Sequence, residues 1–89
     1  MPEISTRSLG EREYEVGTTV EGASHAWRVR VPEELTARLG ADPAEVARAT
    51  IAFLLEREPP GSIMASFDCA VVRRYFPEYD AELPGYLQG

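Results

Sequence analysis

Residues 42–58, DPAEVARATIAFLLERE, constrain the fold more than any other stretch of this chain. Asp42 is placed to cap a helix, Pro43 suits its first position, and Glu45 stands where a capping-box partner reaches back. Pro59-Pro60-Gly61 ends the run sharply. Along the helix expected over 43–58, Val46, Ala49, Ile51, Phe53, Leu54 and Leu55 cover more than half of the circumference. Glu45, Arg48 and Glu56 mark a narrow wet side. A helix apolar over so wide an arc must be covered from more than one direction.

One cover lies upstream, in residues 12–31. Tyr14, Val16, Thr18 and Val20 share one face of a strand pattern, with Glu13, Glu15, Thr19 and Glu21 on the other. Trp27, Val29 and Val31 alternate in the same way with Ala26, Arg28 and Arg30. Between the two runs, Glu21-Gly22-Ala23-Ser24 supplies a turn. With Glu21-Gly22 as a two-residue loop, Val20 opposes Ala23, Val16 opposes Trp27 and Tyr14 opposes Val29. On the other face Glu15 opposes Arg28 and Glu13 opposes Arg30, cross-strand pairs worth roughly 0.2–1 kcal/mol each. A four-residue loop keeps the faces and shifts the pairs. The face carrying Tyr14, Val16, Trp27 and Val29 is expected to meet Phe53 and Leu54.

Pro32 ends the second strand and can open a short helix holding Leu35 and Leu39, which Gly40 stops. After the long helix the chain reads as short helical pieces. Ser62 can cap a turn containing Ile63, Met64 and Phe67, and Asp68 a helix from Cys69 to about Tyr75. Pro77 can open a last turn that Pro84-Gly85 ends. The expected fold class is α+β: an N-terminal antiparallel β-hairpin (12–31) on a mostly helical C-terminal part. All 89 residues form one domain, with the polar, aperiodic residues 1–11 as a loose N-terminal arm.

A domain of this length buries only about 60–65% of its unfolded surface, so its core is thin, and pairing into a homodimer is a common remedy. Nine arginines and no lysine stand against fifteen acids, a net charge of −6. A protein that gains affinity by neutralising phosphates needs a basic face, so DNA is a less favoured partner than protein. The absence of lysine fits a GC-rich genome. The N-terminus has no apolar signal core, and no stretch approaches the roughly 18 apolar residues of a membrane span, so a cytoplasmic protein without a membrane partner is expected.

Catalytic, metal and cofactor signals are sparse. His25 is the only histidine and sits near the hairpin turn without other ligands close in sequence. Cys69 rules out an internal disulfide framework; its apolar neighbours Ala70, Val71 and Val72 read as a buried structural position. Glu78, Asp80 and Glu82 lack the glycine and ligand spacing of a calcium loop. No phosphate loop, GxSxG or HExxH occurs, so no cofactor or metal is expected. Tyr75, Phe76, Tyr79 and Tyr86 are dense near the C-terminus. They either pack over the long helix, the favoured reading, or leave Tyr75, Tyr79 and Tyr86 as a partner surface.

The segment WRVRVPEEL followed by DPAEVARATIAFL resembles the ribbon-helix-helix family of small bacterial repressors and antitoxins. That resemblance implies a dimer whose paired strands enter the major groove. Arg28 and Arg30, with Ala26, would then face the bases, and Trp27, Val29 and Val31 the core. It covers about a third of the chain. Three features depart from it: a short first helix, acids Asp42 and Glu45 where a phosphate would dock, and residues 12–20 as a competing partner for the strand. The tail SIMASFDCAVVRRYFPEY resembles the C-terminal region of small bacterial proteins and implies no activity. The residues together favour a non-enzymatic protein acting by macromolecular interaction. A DNA-binding regulator using Arg28 and Arg30 is the alternative, and an enzyme using Cys69 a remote one.

Overall fold

The computed structural model describes residues 3–87. Its fold is α+β: a four-stranded mixed sheet carrying one layer of helices. Strands β1 (Ile4–Gly10), β2 (Glu13–Val20) and β3 (Ala23–Arg30) form an antiparallel meander. Helices α1 (Glu33–Leu39) and α2 (Pro43–Leu55) then carry the chain across to β4 (Ser66–Asp68), which pairs parallel to β3. Helices α3 (Cys69–Tyr75) and α4 (Tyr79–Glu82) and a 3-10 turn at Leu83–Tyr86 complete the described chain.

The β2–β3 hairpin has the register that a two-residue loop dictates, with Val20 opposite Ala23, Val16 opposite Trp27 and Tyr14 opposite Val29. Glu21 and Gly22 both take positive φ, 52° and 84°. Such a turn matches the twist of the strands it joins, and glycine adopts it at no steric cost. Val16, Trp27 and Val29 belong to one buried cluster with Ile51, Phe53 and Leu54 of α2, and Tyr14 packs against it.

Four expectations need correction. Residues 4–10 are not a loose arm but the edge strand β1, with Ile4 opposite Thr18 and Thr6 opposite Val16. Only Ile4 of this strand is half-buried, so no apolar period marked it. Residues 62–67 are not a helical turn. The chain makes a 3-10 turn at Pro60–Ser62 and then extends into β4, burying Phe67 beside Val29 of β3. The long helix ends at Leu55 rather than at 58, with Glu56 as its C-cap. Pro32 is the extended N-cap residue of α1 rather than its first helical residue.

Asp42 caps α2 as its sequence requires, accepting from the Ala44 amide at 3.0 Å. Arg12 ties the β1–β2 turn to the start of α1. Its guanidinium donates to the Val31 carbonyl at 2.8 Å and to Thr36 Oγ1 at 2.5 Å. Helices cover only one side of the sheet. The opposite side presents Ser5, Arg7, Glu13, Glu15, Gly17, Thr19, Ala26, Arg28, Arg30 and Ser66, all exposed or half-buried.

Candidate protein-docking groove

The sequence that stops α2 also opens a groove. Pro59-Pro60-Gly61 cannot continue the helix, and the chain turns at Pro60–Ser62 to bring Ile63 and Met64 beside the end of α2. Asp68, at the end of β4, accepts from the Ala70 amide at 2.8 Å and so starts α3. Its spacing puts Val71 and Tyr75 on one stripe and Val72 and Phe76 on the next. Between these walls lies a groove of about 300 Å³ lined by Leu54, Glu58, Ile63, Met64, Phe67, Val71, Val72, Tyr75 and Phe76, with Ser62 at its margin. That is the small end of the range for ligand clefts, roughly 300–1,000 Å³.

The rim is unusual for this surface. Among the described residues, the large hydrophobic side chains left exposed are Leu9, Met64 and Tyr75, and the last two stand at the groove, 53% and 71% exposed. Among the described residues, Glu58 is the one charged side chain in the lining. It is half-buried, and its carboxylate has no hydrogen-bond or ion-pair partner among the described residues. On the α3 side, Arg74 is exposed and likewise unpartnered, while its neighbour Arg73 binds Asp80 at 2.9 Å and Glu34 at 3.7 Å.

The three tyrosines of the expected partner surface have separate fates. Tyr75 stands on the rim. Tyr86 is half-buried; its hydroxyl donates to Glu56 at 2.6 Å, and its ring meets Phe53 edge-on at 5.8 Å. Tyr79 is fully buried and leaves the partner surface altogether. Its hydroxyl lies 2.7 Å from Thr50 Oγ1, which donates to the Val46 carbonyl, so the phenol is the donor of that pair. Burial pushes the Tyr79 phenol well above its ordinary pKa.

Cys69 lies in the same interior, 3.6 Å from Thr50 Oγ1, and desolvation raises its pKa. A buried neutral thiol is a weak nucleophile. His25 is half-buried and stacks on Trp27 with ring centroids 6.0 Å apart. No group of three or more His, Cys, Asp or Glu among the described residues is arranged to hold a metal ion. The acids of the C-terminal run are engaged in ion pairs. Glu78 and Glu82 bind Arg57 at 3.0 and 2.6 Å, and Asp80 binds Arg73 and Arg38.

Arg28 and Arg30 project from the open sheet face. Their register partners are Glu15 and Glu13, yet the ion pairs form elsewhere: Glu15 binds Arg7 at 2.6 Å and Arg30 binds Asp68 at 3.6 Å. Arg7, Arg28 and Arg30 therefore share this face with the acids Glu13, Glu15 and Asp68. Strand β3 lies between β2 and β4 of its own chain, and β4 pairs with it along Arg28, Val29 and Arg30.

The groove was legible only in fragments. Val71 and Tyr75 follow a helical stripe, but nothing local shows that their side of α3 is left uncovered or that Ile63 and Met64 swing back beside it. No helix among the described residues is long and apolar enough to cross a membrane. No protein-family model, curated protein or solved structure matches this chain, so a functional reading has to start from the surface itself.

Proposed function

We propose that this protein is a small, acidic, non-enzymatic cytoplasmic module that acts by docking a protein partner through the groove beside α3. One observation carries the reading. Met64 and Tyr75 stand exposed on the rim of an apolar groove, whereas the opposite flank of α2 is closed by ion pairs. Exposed aromatic and Met side chains around an apolar centre are the composition of interface cores, not of ordinary surface. The test is affinity capture from a cell extract with the intact protein as bait. A stoichiometric partner should be retained by the wild type and by an Arg28→Ala, Arg30→Ala variant, and lost with Tyr75→Gln or Met64→Gln. Capture indifferent to Tyr75 and Met64 would overturn the reading.

A second reading, a DNA-binding regulator, draws on Arg28, an exposed guanidinium without an ion-pair partner among the described residues. The acids that share its face weigh against phosphate binding. It requires salt-sensitive binding to duplex DNA that disappears in the Arg28→Ala, Arg30→Ala variant.

A further inference from the structure

We infer that the groove beside α3 is self-complementary and that its occupant is a second copy of this chain, a step that rests on the docking reading above. The patch carries both halves of a two-fold contact. A two-fold interface uses the same surface on each subunit, so each feature must find its complement on the other end of one patch. Here the α2 side of the groove offers Glu58, a half-buried carboxylate without a cation among the described residues. On α3, outside the groove lining but one residue before Tyr75, Arg74 is an exposed guanidinium without an anion among the described residues. Between them lie an apolar cavity and a protruding aromatic ring.

Rotation about an axis between the two walls exchanges the ends of the patch. Tyr75 of each copy then enters the groove of the other, and Arg74 of each reaches Glu58 of the other. The groove is incomplete without its partner, because the cation that Glu58 lacks and the aromatic plug come from the second copy. Tyrosine suits the position: it adds a large contact area with few rotors to freeze, and its hydroxyl can stay at the wet rim. Burying either charge alone would be costly, so the pairing also rejects partners that lack the opposite sign.

The experiment is sedimentation equilibrium of the full chain over a wide concentration range. The wild type, Tyr75→Gln, Glu58→Arg, Arg74→Glu and the double variant Glu58→Arg, Arg74→Glu would be compared, with circular dichroism to confirm that each folds. A reversible dimer is expected. Each charge reversal places like charges opposite one another and should weaken the dimer by roughly tenfold or more. The double variant should restore it, because the pair is then exchanged rather than broken. Tyr75→Gln should leave a monomer. A wild-type monomer at every concentration, a dimer indifferent to Tyr75→Gln, or a double variant no tighter than its parents would each overturn the inference. A wild-type monomer that still captures another protein through Tyr75 would overturn self-docking alone and leave the docking reading standing. A wild type that neither dimerises nor captures another protein through Tyr75 would overturn both.

Discussion

The two flanks of the end of α2 start from similar residues and finish differently. On one flank the C-terminal segment folds back over Phe53, whose ring meets Tyr79 and Tyr86 edge-on. Arg57 lies over the same ring, its guanidinium carbon 3.7 Å from the centroid, and binds Glu78, Glu82 and the Phe53 carbonyl. Arg48 adds a hydrogen bond to the Tyr86 carbonyl at 2.6 Å. On the other flank Phe76 touches Phe53, but beyond it the groove stays open, with Met64 and Tyr75 in water and Glu58 and Arg74 unpaired among the described residues. Adjacent arginines state the contrast most simply: Arg73 is held by Asp80 and Glu34, and Arg74 by none of the described residues. The chain completes its own structure on the first flank and leaves the second unfinished, as a surface meant for a partner would be.

Phe53 is the hinge of this comparison, and its loss should have the largest effect. It is fully buried and touches three aromatic rings. Phe53→Ala removes the ring and leaves a cavity, at a cost of about 3–5 kcal/mol. Against a total of about 5–15 kcal/mol for a domain, the variant should approach the unfolding threshold. Urea denaturation would check this, and a loss below about 1 kcal/mol would mean that the two flanks do not share this anchor.

The closed flank should lose less when only its polar clamp is removed. Arg57→Met keeps the aliphatic stem over Phe53 but deletes the cation and its bonds to Glu78, Glu82 and the Phe53 carbonyl. These are half-exposed contacts, and a cation over a ring at such a site is worth about 0.5–1 kcal/mol. A total loss of about 1–2 kcal/mol in the same denaturation series is expected. Hydrogen exchange should localise the loosening to residues 78–87.

How much of this contrast could be read from the sequence differs between its parts. The two faces of the hairpin were legible, because the alternating runs fix them, while the choice between a two- and a four-residue loop, and with it the register, was set only by the fold. The cap of α2 was legible from Asp42 and Pro43, but its end came three residues earlier than the break at Pro59 suggested. Strand β1 was not, since a polar edge strand facing water on most of its surface has no apolar period to betray it. Strand β4 was not, because a three-residue parallel strand buries one side chain, Phe67, and depends on β3 for its existence. Among the aromatics, Tyr75 and Tyr79 look alike in sequence. What separates them is Thr50 on α2, which meets the Tyr79 hydroxyl and gives it a reason to be inside. The groove is a property of how α2, the 60–64 connection and α3 meet, and no local pattern encodes it.

The open flank should behave in the opposite way to the closed one. Tyr75→Gln removes an aromatic ring that is 71% exposed, so folding stability should change by no more than about 0.5 kcal/mol. Capture of a partner, by contrast, should be lost. A matched pair of measurements, denaturation and association, sharpens the comparison: Arg57→Met moves the first, Tyr75→Gln the second. If Tyr75→Gln destabilised the fold as much as Arg57→Met does, the open flank would be structural after all.

A small, charge-dependent effect should come from Asp80, the acid that separates Arg73 from Arg74 in behaviour. Partial burial acts to raise the pKa of its carboxyl, but Arg73 and Arg38 outweigh it and hold the group below its usual value. A carboxyl depressed in the folded state adds stability that is fully present above its unfolded pKa, about 3.9. That contribution is lost as pH falls through the lower folded value. The side chain is 41% exposed, so the contribution is screened and stays under about 1 kcal/mol. Asp80→Asn should therefore lie slightly below the wild type in urea denaturation at neutral pH. The two curves should converge as pH drops below about 4, and added salt should narrow the gap at neutral pH. A gap that persists at low pH would mean that Asp80 acts through packing rather than charge. The contrast between Arg73 and Arg74 would then lose its electrostatic basis, while the exposed apolar rim that defines the open flank would stand unchanged.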